Sequence, residues 1–182
     1  LPTVKIFERG EAINSVMDIL KANIRMPDSS MGDFWAGMAA NSVGESRLHE
    51  LLQKYGFETV NKAITELLDY GEKMIAAEIK NLPQGTFYAE DWIDDDGLGS
   101  APLKVCVKVT IGKERFVADF SGSAPQALGP INNSRTGLVS AIRTIFKALT
   151  NPRIPANGGC FRALEVICPD ESVFTAQRPA PV

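Results

Sequence analysis

The sequence predicts an α+β fold in which an N-terminal helical region packs on a mainly antiparallel sheet with one further helix. Apolar residues recur at helical spacing through residues 1–83, apolar and polar residues alternate in the first part of residues 84–182, and a last amphipathic stretch covers residues 134–150. Helices followed by strands are typical of an α+β fold rather than a doubly wound parallel sheet. We expect a mainly helical region over 1–83 and a β-rich region over 84–182, together one compact unit.

Three helices are predicted in the first region. The first covers about residues 10–23 and carries an apolar stripe formed by Ile13, Val16, Met17 and Leu20. Pro27 should end any continuation, and residues 28–30 offer N-cap side chains for a second helix. That helix should weaken at Gly44 and stop at Gly56. A third runs from about Glu58 to Asn81, and Pro83 closes it.

Strands and one helix are predicted in the second region. Residues 86–92 form a strand, and residues 103–120 form a hairpin whose turn contains Gly112. Asn133 or Ser134 caps the following helix, which has an apolar stripe at Leu138, Ile142, Ile145 and Leu149. A last short strand covers Leu164 to Cys168.

Composition excludes several classes of protein. The net charge is −3, so no basic surface points to nucleic acid, and no apolar run approaches the ~18 residues that a membrane span needs. Three cysteines without metal or redox spacing, together with the absence of a recognisable signal peptide, favour a reducing cytoplasm. The chain has one histidine, His49, on the predicted polar side of a helix. The usual imidazole chemistry is therefore missing.

The stretch from Asp119 to Asn132 is the leading site candidate, because it joins a strand to a helix through a long polar loop. Asp119 ends an apolar strand, with Ser121 and Ser123 as its nearest hydrogen-bond donors. Two interpretations stay open: direct contact with substrate, or an Asx turn that only pins the loop. Asn132 opens a helix, where it either caps the helix or helps to bind an anion.

Two further clusters carry weaker signals. Asp94, Asp95 and Asp96 precede Gly97, and their oxygens make Asp94 and Asp96 weak candidates for a metal site. The alternative is a solvated acidic turn. Residues 157–162 place Asn157 and a glycine pair before Arg162, which suits either an anion or a tight turn into the last strand. Neither stretch is a nucleotide-binding motif.

Taken together, these motifs resemble the signature of the hydantoinase B/oxoprolinase family. The resemblance covers essentially all of the chain, in order. It is carried by Asn23–Pro27, Met31–Phe34, Ala39–Ala40, Gly44–Leu48, Tyr55–Gly56, Leu82–Gly85, Asp94–Gly97, Asp119–Ser123, Gln126, Gly129–Asn132, Asn157–Gly159 and Pro179–Val182. Members of this family are much longer, and the chain lacks an initiator methionine. We therefore expect the central fragment of a longer chain.

The resemblance implies a region from the B-type subunit of an ATP-dependent cyclic-amide hydrolase of the hydantoin or 5-oxoproline type. ATP and Mg would be bound by a partner A-type subunit. The fragment would hold no cofactor, although the full-length chain could carry a divalent metal, and it would be inactive alone and belong to a hetero-oligomer. Two alternatives stay open: an acetone- or acetophenone-type carboxylase large subunit, and a non-catalytic scaffold at a subunit interface.

Within this resemblance, two sets of residues are assigned as hypotheses. The catalytic set is Asp119, Ser121 and Ser123. The set that binds the small cyclic amide is Gln126, Asn132, Asn157 and Arg162. Such a site needs a carboxylate for proton transfer and donors for a developing oxyanion.

Overall fold

The computed structural model describes residues 4–182 and confirms the α+β class. Its helices are α1 (Asn14–Asn23), α2 (Pro27–Tyr55), α3 (Phe57–Asn81) and α4 (Arg135–Leu149), with a single 3₁₀ turn at Gly159–Phe161. Its strands are β1 (Phe7–Glu8), β2 (Glu11–Ala12), β3 (Gly85–Ile93), β4 (Leu103–Ile111), β5 (Phe116–Asp119) and β6 (Leu164–Ile167). None of the helices within this described range is long and apolar enough to cross a membrane.

The first compact unit extends to Asn61 and begins with a small hairpin that the sequence pattern did not predict. Strands β1 and β2 pair through Phe7 opposite Ala12. The turn between them uses Arg9 at φ 51° and Gly10 at φ 85°, and two-residue strands leave too little alternation to detect. Helix α1 therefore starts at Asn14, later than predicted, and buries Met17 and Leu20.

Helix α2 corrects the predicted position of its N-cap. Helix α1 ends at Asn23, before Pro27, as expected. Pro27 is then the first residue of α2, because the first turn needs no backbone N–H from it and its fixed φ suits the helix. Met26 is the N-cap and makes no side-chain cap hydrogen bond, so residues 28–30 lie inside the first turn instead of capping it. Gly44 does not interrupt the helix, which continues to Tyr55 and ends at Gly56 with φ 78°.

The second compact unit, Lys62–Val182, is built on a four-stranded sheet in the order β3-β4-β5-β6. The first two pairings are antiparallel, as predicted, and the β5–β6 pairing is parallel. The register sets Lys108 of β4 opposite Asp119, the last residue of β5. Opposite residues in an antiparallel pair point to the same face, so their side chains share one side of the sheet.

The core of this unit lies on the other side of the sheet. Phe116, Ala118 and Phe120 pack there with Leu138 and Phe146 of α4. Ile75 and Ile79, near the end of α3, join the same core and are fully buried. The second half of α3 therefore belongs with the sheet, so the units divide inside α3, whereas the sequence pattern changes from helical to strand-like only near Pro83.

Helix α4 confirms the predicted cap. Ser134 precedes its first residue in extended conformation, and its hydroxyl oxygen accepts a hydrogen bond from the N–H of Gly137 at 3.1 Å. This cap places the helix directly after the Asp119–Asn132 loop. The loop is thus held between the end of β5 and the start of α4.

Candidate functional site

Asp119 sits at the end of β5 with both carboxylate oxygens engaged. Oδ1 accepts a hydrogen bond from the backbone N–H of Ser121 at 3.0 Å, which is an Asx turn. Oδ2 lies 2.9 Å from Nζ of Lys108, and the Asp119 side chain is 17% exposed. The carboxylate is therefore fixed in position yet still reaches the surface.

The surroundings of Asp119 keep it ionised. Hydrogen bonds from the Ser121 side chain and backbone, followed by the Lys108 ammonium, lower the pKa of Asp119 to about 2. Its charge is therefore present throughout the neutral range. A carboxylate with so low a pKa accepts hydrogen bonds well but is a weak proton acceptor.

Ser123 connects the loop to β4. Its hydroxyl accepts a hydrogen bond from the N–H of Cys106 at 3.0 Å and donates one to the Cys106 carbonyl at 3.0 Å. Gly122 lies so close that a Cβ there would be 2.8 Å from Cys106 Sγ. The Ser123 hydroxyl thus satisfies both backbone groups of Cys106 at the point where the loop leaves the sheet. Ser121, in contrast, is exposed.

Asn132 and Gln126 hold the loop against the C-terminal segment. The buried Asn132 accepts from the N–H of Ala127 at 2.7 Å and donates to the carbonyls of Ala127, Gly129 and Pro181. Gln126 accepts from the N–H of Gln177 at 2.8 Å. Both side chains therefore shape the loop through backbone contacts.

Asp96, one of the weak metal candidates, is buried and joins two loops. Its carboxylate accepts from the N–H groups of Leu98 at 3.0 Å, Ser100 at 3.3 Å and Gly129 at 3.0 Å. The backbone hydrogen bond from Leu98, aided by those from Gly129 and Ser100, lowers the pKa of Asp96 despite burial. Asp94 is exposed, and the described residues 4–182 contain no group of three metal-binding side chains. The structure thus gives Asp96 a structural role.

Replacing Asp96 by alanine is expected to lower the melting temperature clearly, because three backbone N–H groups at a buried junction lose their acceptor. Asp94→Ala is the matched control, since this neighbouring carboxylate is exposed. Thermal unfolding monitored by circular dichroism compares the two variants. Equal melting temperatures would show that Asp96 does not hold the loops together.

Asn157 and Arg162 lie apart from the Asp119 loop. Asn157 accepts from the N–H of Cys160 and donates to the Leu67 carbonyl at 3.1 Å, and Arg162 forms ion pairs with Asp69 and Glu72 of α3. Arg162 precedes β6, whereas Asp119 pairs with the last residue of that strand. The two ends of β6 are three residue steps apart, which corresponds to about 10 Å along the strand. These two residues tie the turn before β6 to α3 instead of completing one site with Asp119.

A polar cluster that the sequence pattern did not predict lies beside Asp119 on the same face of the sheet. Lys104 Nζ lies 2.7 Å from Glu90 Oε2, to which the hydroxyl of Tyr88 also donates at 2.8 Å. The hydrogen bond from Lys104 lowers the pKa of Glu90 and raises that of Lys104. The alternation of β4 put Lys104 and Lys108 on one face, but only the register reveals their acidic partners.

Comparison with known proteins places this geometry in a family. The sequence profile described as hydantoinase B/oxoprolinase matches residues 1–182. The B subunit of a putative D-/L-hydantoinase from Pseudomonas sp. (strain NS671) is 33% identical over 98% of this chain and 32% of its own length. This and other curated relatives match nearly the whole of this chain. The chain in turn spans only about a third of their length.

Solved structures agree. The crystal structure of ATP-dependent caprolactamase from Pseudomonas jessenii superposes with a TM-score of 0.83 at 30% identity, over all of this chain and 31% of that chain. A nucleotide-free acetone carboxylase superposes with a TM-score of 0.84 at 16% identity, over 98% of this chain and 25% of the other, which shows the fold alone. The resemblance carried by the motifs is confirmed, and the chain belongs to the hydantoinase B/oxoprolinase family.

Proposed function

We propose that this chain is part of the B-type subunit of a cytoplasmic, ATP-dependent hydrolase that opens cyclic amides. The observation that carries the proposal is the match of the entire chain to relatives named as the B subunit of a hydantoinase and the beta subunit of a caprolactamase, at 33% and 31% identity. Because both relatives are named as one subunit of an enzyme, they support a partner subunit of the A type, which would bind ATP and Mg. Residues 1–182 alone would be inactive.

The ring amide must be activated before water can open it. An amide resists hydrolysis because resonance stabilises the carbonyl and the nitrogen leaves poorly. Phosphorylation of the ring amide oxygen by the partner would make the carbon electrophilic. Water would add to this carbon, its protons would pass to the ring nitrogen, and the ring C–N bond would break to leave an acyl phosphate, which a second water would hydrolyse to a carboxylate and inorganic phosphate. The addition requires an acceptor for the hydrogen bond of the water and donors for the negative charge that develops on the substrate.

Lys108, Asp119 and Ser121 supply groups of these kinds at one end of the sheet. The ionised Asp119 would accept the hydrogen bond of the attacking water, and Lys108, whose Nζ is 2.9 Å from Asp119, would stabilise the developing negative charge. The exposed Ser121 would be a further donor. Ser123, Gln126 and Asn132 would hold this arrangement in shape, and Asn157 and Arg162 are not assigned to it.

A carboxylase is the second candidate, because the resemblance carried by the motifs extends to carboxylase large subunits; the superposition with acetone carboxylase adds only a shared fold. The higher sequence identity to the hydantoinase and caprolactamase relatives favours the hydrolase. The non-catalytic scaffold also has support, because most polar side chains of the loop bind backbone groups.

The test uses the natural gene product that contains residues 1–182, purified with its ATP-using partner. Hydantoin, 5-oxoproline and caprolactam would be supplied with ATP, and ADP and ring-opened product measured. The proposal expects product in step with ADP and no need for bicarbonate. ATP use that depends on bicarbonate would favour the carboxylase. If the assembly is active and its turnover is unchanged by substitutions at Lys108, Asp119 and Ser121, the result would favour the non-catalytic scaffold.

A further inference from the structure

An apolar trough runs along β3 and β4 on the core-facing side of the sheet. It consists of two adjoining cavities, of about 280 and 400 Å³, which share Val107 and Phe120. The larger cavity is lined by apolar side chains only, including those of Phe87, Val109 and Ile145. Such a surface has no polar group with which to bind a small polar substrate.

Several large apolar side chains that line the trough are about half exposed, which is unusual for a contiguous apolar surface. Phe87 is 47% exposed, Ile145 53% and Leu149 51%. Single exposed apolar residues are ordinary, but a contiguous apolar surface in a soluble domain marks a place where another element docks.

The size of the uncovered surface fits one helix. Four strands spaced about 4.8 Å apart place the outer strands roughly 14 Å from each other, and helices pack about 8–10 Å apart. Helix α4 packs against β6, at one side of the sheet. Helix α3 joins the core on this face, but neither cavity is lined by α3 side chains. The surface above β3 and β4 is therefore wide enough for one more helix.

The chemistry of the trough also selects a helix. The side chains that line the larger cavity offer no hydrogen-bond partner, so an extended segment inside it would leave backbone groups unsatisfied, whereas a helix satisfies its own. On the α4 side, the trough is lined by Ile142, Ile145 and Leu149, which follow one another at helical spacing. This row suits a neighbouring helix with a complementary apolar stripe.

We propose that an amphipathic helix from another part of the same subunit occupies this trough. The inference rests on the proposed function, in which residues 1–182 form one part of a longer B-type subunit. The matched relatives are about three times as long as this chain, so most of their polypeptide lies outside the matched region. A helix of the same polypeptide is held at high effective concentration beside the trough, unlike a separate protein.

The experiment measures the reactivity of an introduced thiol in the purified natural gene product that contains residues 1–182, without its partner. Ile145→Cys places the thiol in the trough, and Ser140→Cys places it at an exposed position on the opposite face of α4. The natural cysteines Cys106, Cys160 and Cys168 are buried, which keeps their labelling low. Maleimide labelling would be read for each site by peptide mass spectrometry.

A covered trough should make labelling at position 145 at least about tenfold slower than at position 140, because reaction then requires local opening. The two rates should become equal in denaturant, and equal melting temperatures of the variants would exclude misfolding. Similar rates in the native subunit would overturn the proposal. Protection that disappears on dilution would overturn it in favour of a second copy, and protection that appears only with the ATP-using partner would overturn it in favour of that partner. Turnover plays no part in this readout, so it is separate from the test of the proposed function.

Discussion

Replacing Gly159 by alanine is expected to destabilise the protein by about 2–3 kcal/mol, the upper part of the range found for overpacked cores. Gly159 begins the 3₁₀ turn before β6 and is buried against α3. A Cβ at this position would lie 1.8 Å from the carbonyl oxygen of Leu68 and 2.5 Å from its carbonyl carbon. These are backbone atoms of a helix, so no side-chain rotation relieves the clash, and the turn and the helix must move apart.

Gly158 provides the matched control, because it precedes Gly159 and has helical dihedral angles of φ −57° and ψ −30°. A Cβ there meets only the Cδ2 atom of Leu68 at 3.7 Å, an ordinary contact. Gly158→Ala should therefore change the free energy of unfolding little, whereas Gly159→Ala should lower the melting temperature by roughly 4–12 °C, at about 2–4 °C per kcal/mol for a chain of this size. Urea and thermal unfolding check both values. Equal effects of the two alanines would mean that α3 and the turn do not approach this closely.

The same glycine pair shows the limit of local sequence patterns. From sequence, Gly158 and Gly159 suited either an anion site or a tight turn, since both need glycine. The structure separates the two residues: one is replaceable and the other is required by a contact with Leu68, about ninety positions earlier in the chain. No local pattern contains that contact.

Local signals predicted most of the elements. The alternation of Leu103 to Ile111 predicted β4, and Ser134 predicted the start of α4, because both depend on nearest neighbours. The N-cap of α2 was misjudged because proline both blocks a helix interior and suits a first turn, so the helix begins at Pro27, before residues 28–30.

The candidate site was only half predictable. Asp119 and its turn to Ser121 are local, so the sequence pointed to them. Lys108 was missed, because only the register of β4 on β5 brings it to Asp119. For Asp96 the sequence left open a weak metal site or a solvated acidic turn, and neither interpretation includes its buried hydrogen bond with Gly129, which is distant in the chain.

Asp119→Asn in the active assembly is expected to reduce kcat by about 10²-fold, because the attacking water loses the charged acceptor that positions it. This is the lower end of the range for acid–base groups, since a carboxylate with so low a pKa orients the water more than it takes its proton. Asparagine keeps an oxygen that can accept from the Ser121 N–H, so the turn should survive. What it loses is the charge that faces Lys108 at 2.9 Å. The melting temperature should therefore change much less than kcat, which separates chemistry from folding.

Controls come from the neighbouring ion pair, because Glu90 and Lys104 share the face of the sheet but not the loop. Glu90→Gln and Lys104→Gln should leave kcat nearly unchanged, while Lys108→Gln should lower it about 10²–10³-fold, as expected for a lost oxyanion donor. Near-normal turnover of Asp119→Asn would remove Asp119 from the chemistry and leave it as the pin of an Asx turn. A loss of activity that is equally large in Glu90→Gln would instead assign the effect to the whole polar face. Only a loss confined to Lys108 and Asp119 ties the reaction to the end of β5, where the loop that marks this family begins.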